Sequence, residues 1–268
     1  MGTANLARAV ETSLTASHLF LGQWPELRLH QDDDRLWTIS ERRFSLCNVI
    51  LDARLGPADP DTQIERALRP YSGTGVNLMW KLGPSTRPTD LGSRLEKRGF
   101  LALPNLHGMA LDLRALGFVP RCASELEVRE VDGAETLNLW RHAVDRGFGW
   151  PSYGAKDIAD NLNYFFERGR GRPFTAFVAI VDKEPVSSSL VFFEDDIGGI
   201  YFVSTVPEFR RRGFGSVITA EALMEARRRG CKTAILHATE MGYPIYRRLG
   251  FEEVCVVEMR LRLVPAML

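Results

Sequence analysis

The chain has 268 residues, 45% hydrophobic and 25% charged, with 34 Lys+Arg balancing 34 Asp+Glu. That is the profile of a globular protein, and the length predicts two domains of ordinary size, about 100–150 residues each. Zero formal charge argues against nucleic acid or a membrane as partner, no apolar run reaches the ~18 residues of a transmembrane helix, and Leu6 stands where a myristoylation motif needs Ser or Thr.

The N-terminus lacks a basic region followed by an apolar core, so no signal peptide is expected and the expected compartment is the cytoplasm. Cys47, Cys122, Cys231 and Cys255 are scattered without Cys-x-x-Cys or His spacing. No metal is expected.

In chain order, the segment Arg54 to Asp61 holds one glycine, two prolines and two acids. The run Gly75 to Trp80 reads as a strand, Leu95-Glu96-Lys97-Arg98-Gly99-Phe100 as a helix end and turn, and Met109 to Leu113 as an alternating strand. Gly117 to Ser124 reads as a linker. Leu126 to Val131 alternates as a strand, and Leu137, Trp140 and Val144 share one helical face. Phe148-Gly149-Trp150-Pro151 breaks that helix, and Ile158, Leu162, Phe165 and Phe166 mark a second one.

Phe174–Val181 and Val186–Phe193 form a strand pair around the Asp182-Lys183-Glu184-Pro185 turn, and Ile200 to Val206 is the next strand. Then comes Arg210-Arg211-Arg212-Gly213-Phe214-Gly215, opening a helix that carries Val217, Ala220 and Met224 on one face. Arg227-Arg228-Arg229-Gly230 stops it. Thr233–His237 is a strand, Gly242 to Phe251 a short helix and turn, and Val257, Met259, Leu261 and Leu263 alternate in a last strand.

A strand, a glycine turn and a helix start gather backbone N–H groups and the positive end of the helix dipole at one point, which suits a phosphate or pyrophosphate. Gly213 and Gly215 let a ligand approach the backbone. Neither the P-loop nor the three-glycine dinucleotide fingerprint fits.

With Tyr246, Gly250 and Phe251 downstream, this region resembles the GNAT superfamily of acyl-CoA-dependent N-acyltransferases. Arg210, Gly213 and Gly215 match the family's Arg/Gln-x-x-Gly-x-Gly/Ala loop, and Tyr246, Gly250 and Phe251 match its Tyr-x-x-x-Gly-Phe segment. The resemblance is specific for residues 125–263 and weaker before them. It implies an α/β (mixed α+β) protein of two GNAT-like units, each a mixed, mostly antiparallel twisted sheet flanked by helices. The expected division is a degenerate unit over 1–117, a linker over 118–124 and a catalytic unit over 125–268. The N-terminal unit reads as a worn copy, with Leu95 in place of Tyr246 and the loop from Arg54 to Asp61 unsuited to an anion. An unrelated α/β cap domain is the rival reading of that half.

The resemblance also implies acetyl-CoA as co-substrate. Its pantetheine arm would lie along Val203, Ser204 and Thr205, and its pyrophosphate on Arg210, Arg211, Arg212, Gly213, Phe214, Gly215 and Ser216. Thr239 stands where some relatives carry a CoA-contacting Asn. Tyr246 is the candidate general acid, since a phenol with pKa near 10 stays neutral at pH 7 and can protonate a departing thiolate.

Many relatives carry a basic Glu at the position of Gly199, so the base stays open among Glu194, Asp195, Asp196, His237 and ordered water. Phe148, Trp150, Tyr153, Tyr164 and Tyr201 are the candidate acceptor pocket, with Phe202 beside Tyr201 on the strand facing the cleft. The expected activity is acyl transfer to a primary amine of a small molecule or peptide, by a monomer or homodimer. A non-catalytic acyl-CoA-binding module is the alternative. A transferase using charged tRNA fits the zero net charge poorly.

Overall fold

A computed structural model of the chain describes residues 2–264, apart from 57–58, 118–119, 121–124, 151 and 169–171, and gives only the backbone at 152 and 153. The elements are α1 (Thr3–Leu21), β1 (Arg28–Gln31), β2 (Leu36–Ile39), β3 (Val49–Leu51), α2 (Pro60–Leu68), β4 (Leu78–Leu82), α3 (Leu91–Glu96) and β5 (Leu101–Asp112). There follow β6 (Glu127–Glu130), α4 (Ala134–Phe148), α5 (Ser152–Glu167), β7 (Phe174–Val181), β8 (Glu184–Glu194), β9 (Ile197–Thr205), α6 (Phe214–Arg228), β10 (Thr233–Ala238), α7 (Tyr243–Arg248) and β11 (Glu252–Arg262). From β6 onward this is the element order expected from the sequence. None of the described helices is long and apolar enough to cross a membrane.

Two compact units result, one of residues 1–107 with 255–268 and one of residues 108–254. This differs from the expected division. The boundary falls inside β5, the expected linker at 118–124 lies almost wholly outside the described residues, and most of the last strand is counted with the first unit. There β11 pairs antiparallel with β4, Arg260 opposite Trp80 and Leu261 opposite Met79. Alternation of apolar and charged residues specifies which face of a strand is buried, not which strand lies beside it.

In the first unit β1, β2 and β3 are antiparallel and β3 pairs parallel with β4. Trp80, Leu91, Leu95 and Phe100 are buried in its core. The turn after α3 repeats the turn after α7 bond for bond. Phe100 N–H donates to Leu95 O (3.2 Å) and Gly99 N–H to Glu96 O (3.0 Å), as Phe251 N–H donates to Tyr246 O (3.0 Å) and Gly250 N–H to Arg247 O (3.1 Å). Gly99 and Gly250 have φ of 82° and 97°, which a side chain would strain. The resemblance between Leu95–Phe100 and Tyr246–Phe251 is therefore one of backbone conformation as well as of letters.

In the second unit β6, β7, β8 and β9 are successively antiparallel, while β9 pairs parallel with β10. Asp182 and Lys183 both have positive φ (49° and 69°), the two-residue turn whose twist matches its flanking strands. Helix α6 covers one face of the sheet, burying Phe214, Val217, Ile218 and Leu223 with Val191, Ile200 and Leu236. It stops as its sequence predicts: basic residues in the last turn, then Gly230 at φ 89°.

Helix α4 covers the other face with Trp140, Ala143, Val144 and Gly147. Its approach is close at Gly147, where an added Cβ would lie 2.6 Å from Ser204 Cβ and against the Ser204 hydroxyl. Gly147→Ala is expected to lower stability by roughly 1–3 kcal/mol, the usual cost of overpacking. Urea unfolding checks this, and a midpoint equal to that of the unsubstituted protein would remove the contact from the account.

Candidate functional site

Strand β9 runs from Ile197 to Thr205, but its pairing with β10 ends at Ile200 opposite Leu236. Beyond that point β9 stays paired with β8 alone, as far as Thr205 opposite Ser187. The edge from Tyr201 to Thr205 therefore faces away from any strand partner in this unit, the arrangement that can accept an added extended chain. Val203, Ser204 and Thr205 lie on this edge.

A β-bulge shapes the same stretch. Ser188 is opposite Ser204 and Leu190 opposite Tyr201, so Ser189 alone faces Phe202 and Val203, and Phe202 takes φ of 51°. The strain is met by buried hydroxyls. Ser188 Oγ lies 2.8 Å from both Phe202 O and Ser204 Oγ, Ser204 Oγ lies 2.9 Å from Ala143 O, and Ser187 Oγ lies 3.0 Å from Thr205 Oγ1 and donates to Ser204 O. The bulge puts Tyr201 and Phe202 on the α4 face together, where strict alternation would separate them. Phe202, expected with Tyr201 on the strand facing the cleft, reaches that face through a bulge that the sequence does not announce. The serine run at 187–189, inside a buried strand, was its one legible trace, because buried hydroxyls need partners.

After β9, Pro207–Phe209 makes a single turn and the loop enters α6. Arg211 (φ 62°) and Gly213 (φ 86°) take left-handed conformations. Gly213 is the N-cap and contributes no side chain, and its carbonyl accepts from Ser216 and Val217. The N–H groups of Arg211, Arg212, Gly213, Phe214 and Gly215 have no hydrogen-bond partner among the described residues. A helix N-terminus with unmet donors and a positive dipole end has the chemistry to receive an anion. A Cβ on Gly213 would meet nothing within 4 Å, leaving room for a ligand; on Gly215 it would lie 3.3 Å from Thr205 Oγ1 and 3.8 Å from Ile245 Cδ1. The end of β9, the loop and the start of α7 thus converge.

The three arginines divide their tasks. Arg210 Nε donates to Thr205 O (3.0 Å) and its Nη2 to Gly147 O (2.8 Å), tying the loop to β9 and α4. Arg212 pairs with Glu125 (2.6 Å) and lies over Phe214. Arg211 is exposed.

In the first unit the matching position is closed from within. Asp59, the N-cap of α2, has φ of 51°, as Gly213 is left-handed at the N-cap of α6. Its carboxylate accepts from Thr62 N–H (3.2 Å) and from the Thr62 hydroxyl, which together hold its pKa below the ordinary value. Asp61 is engaged by Arg94 (2.7 Å) and Arg98 (3.0 Å). The helix start that would hold an anion already has one, supplied by the chain.

Tyr246 sits on α7 within the second unit's core, edge-on to Phe251 at 6.0 Å between ring centroids. Burial pushes its phenol well above the ordinary 10, so the neutral, proton-bearing form is the only one present at physiological pH. Thr239 lies in the turn before that helix, where its hydroxyl accepts from Gly242 N–H at 3.3 Å.

Gly199 is buried in β9 between Phe192 and Ile235. Glu194, whose pKa is raised by burial and then by Asp195, pairs with Ile197 at the other end of β9. That is about 13 Å of strand from Tyr201 at ~3.3 Å per residue, and Asp195 and Asp196 are in the same distant turn. His237 is placed differently. It is the first residue of β10 past the last β9 pair, and its ring stacks on Tyr201 at 6.2 Å and 27°.

The aromatic candidates separate into two groups. Phe148 and Trp150 are parallel at 4.4 Å and 9°, and Trp150 stands edge-on to Phe202 at 6.3 Å. Tyr164 instead contacts Phe165 and lies under Arg168 at 3.4 Å. The side chain of Tyr153 lies outside the described residues. No group of three or more His, Cys, Asp and Glu able to hold a metal ion occurs among the described residues.

Residues 195–254 match the acetyltransferase (GNAT) domain family. An uncharacterized N-acetyltransferase from Streptomyces griseus is 32% identical over 136 residues, 47% of this chain and 30% of that protein's length. A GCN5-related N-acetyltransferase from Kribbella flavida has a similar structure, with a TM-score of 0.70 at 19% identity, covering 92% of this chain and 94% of that one. A tandem GNAT protein from the clavulanic acid biosynthesis pathway matches with a TM-score of 0.58 at 14% identity, covering 89% and 83%.

Proposed function

We propose, on the premise that this chain belongs to the GNAT acetyltransferases, that its second unit transfers an acetyl group from acetyl-CoA to a primary amine of a small molecule or peptide. The observation that carries this reading is the row of unpartnered N–H groups from Arg211 to Gly215 beside the free edge of β9. The first supports a pyrophosphate, and the second supports an extended amide-bearing arm added as one more strand. Both fit the co-substrate that the resemblance implies.

Bound acetyl-CoA supplies an activated thioester. The residues of this chain supply the rest. The loop N–H groups hold the diphosphate in register, and Arg210 holds the loop to Thr205 and Gly147. His237, at the point where β9 and β10 part, is the base that this geometry favours: its imidazole takes the proton that an arriving ammonium must lose before it becomes a nucleophile. Tyr246 Oη gives its proton to the departing sulfur and regains one from the acylated nitrogen, so the net reaction releases one proton. Burial of Tyr246 keeps that proton in place until the step requires it.

The test is thiol release from acetyl-CoA in the presence of an amine panel, followed by mass measurement of the amine product. The reading expects stoichiometric thiol and acetylamine. Gly199, in the place of the family's glutamate, favours a second reading, a module that binds acyl-CoA without turning it over. CoA affinity without thiol release across the whole panel would establish that one instead.

A further inference from the structure

The aromatic rings around the end of β9 form one partly open wall. Phe148 is 37% exposed, Trp150, Tyr201 and Phe202 are half-buried, and all four belong to α4, its following turn or the α4 face of β9. Trp140, fully buried and edge-on to Phe202 at 5.6 Å, supports them from below. Its indole N–H donates to Ser189 O (3.1 Å), which ties the wall to the strand that makes the bulge. Contiguous exposed apolar surface beside a reaction centre is where binding is expected.

The arginines flanking the wall in sequence are engaged, and Asp145 adds one carboxylate in the last turn of α4. Arg146 pairs with Glu184 and Glu208 (3.3 Å), and the Arg210 guanidinium is held by two carbonyls. A polyamine or an amino sugar needs carboxylates or a dense set of polar partners, whereas flat rings reward an aromatic group through edge and face contacts and tolerate its ammonium through their π faces.

We infer that the acceptor is an arylalkylamine, a primary amine on a short chain from a flat apolar ring, with that ring seated against Trp150 and Phe202 and its amine reaching toward His237. The inference rests on the acetyltransferase reading and deepens it. Phe202 is the specificity-determining residue, and its position depends on the bulge.

The experiment compares phenethylamine, ethanolamine and spermidine as acceptors at fixed acetyl-CoA, using the full chain. In the unsubstituted protein kcat/KM for phenethylamine should exceed that for either hydrophilic amine by at least about 30-fold, a modest return for burying a ring in an apolar site. Phe202→Ala should shrink that ratio by about tenfold or more, and Trp150→Ala serves the same purpose should the first variant fold poorly, as CoA affinity will show. Phenethylamine binding to the CoA-loaded protein is measured alongside by calorimetry.

Phe202-dependent binding without turnover of any amine would overturn the acetyltransferase reading and leave the wall standing as an arylalkylamine-binding site. Turnover that favours ethanolamine or spermidine, or a ratio unmoved in both variants, would overturn the acceptor class and leave the reading standing. Absence of both turnover and phenethylamine binding would overturn both.

Discussion

Gly213→Asp should abolish most CoA binding and leave the fold intact. The substitution copies into the second unit what Asp59 does in the first. At the N-cap of α2, Asp59 is left-handed at φ 51° and turns its carboxylate onto the helix start; Gly213 is left-handed at φ 86° at the N-cap of α6. Aspartate is among the few side chains that tolerate this conformation, so the strain is about 1 kcal/mol and the carboxylate gains a helix dipole in return. The pyrophosphate loses the N–H groups that the carboxylate takes and meets a like charge.

Two charge-assisted hydrogen bonds at ~1.5–3 kcal/mol each correspond to about 10²- to 10⁴-fold in affinity. Gly213→Ala separates strain from charge, because it shares the φ penalty and lacks the carboxylate; its loss should be much smaller. Calorimetric titration with CoA and a melting curve for each variant decide the matter. A folded Gly213→Asp protein that binds CoA within a few-fold of the original would remove the loop from the donor site.

Tyr246→Phe should leave CoA affinity unchanged and lower kcat by about 10²- to 10⁴-fold, the usual cost of removing one general acid. Only Oη is lost, and the ring keeps its edge contact with Phe251. The direction of the pKa shift fixes the pH behaviour. The folded value lies above the unfolded 10, so the protonated form prevails, and the stability it contributes is fully present, below about pH 10; both are lost only as pH rises through the folded value. The pH profile of the unsubstituted protein should therefore show no falling limb from Tyr246 between pH 6 and 9. A variant that turns over within a few-fold of the original across that range would make Tyr246 a packing residue and water the proton donor.

What the sequence made legible follows from where backbone geometry restricts residue choice. Gly213 and Gly250 occupy positive φ, where other residues are strained, so the conformation is written in the letters. The Gly230 stop is readable for the same reason, and the Asp182-Lys183 turn from its place between two apolar strand runs. The bulge at Phe202 is not, because phenylalanine at φ 51° is an exception that only its surroundings permit; serine hydroxyls on the neighbouring strand bond to the backbone there.

The acids at the start of α2 make that loop unsuited to an anion on sequence alone, and the structure adds that Asp59 takes the anion's place. That is a matter of one rotamer and one hydrogen bond, which composition cannot convey. The partner of β11 was equally hidden, since pairing with β4 depends on contacts distant in sequence. The place of His237 beside Tyr201, just past the end of the β9–β10 pairing, was hidden in the same way.

The central claim is that this chain holds one acyl-CoA site, in its second unit. Counting the equivalents of CoA bound per chain by calorimetry tests it most directly. One equivalent, lost in Gly213→Asp and kept in Asp59→Asn, is the predicted result, because the first unit's helix start is closed by its own side chain and the second's is open. Two equivalents per chain, or a single equivalent that survives Gly213→Asp, would contradict it.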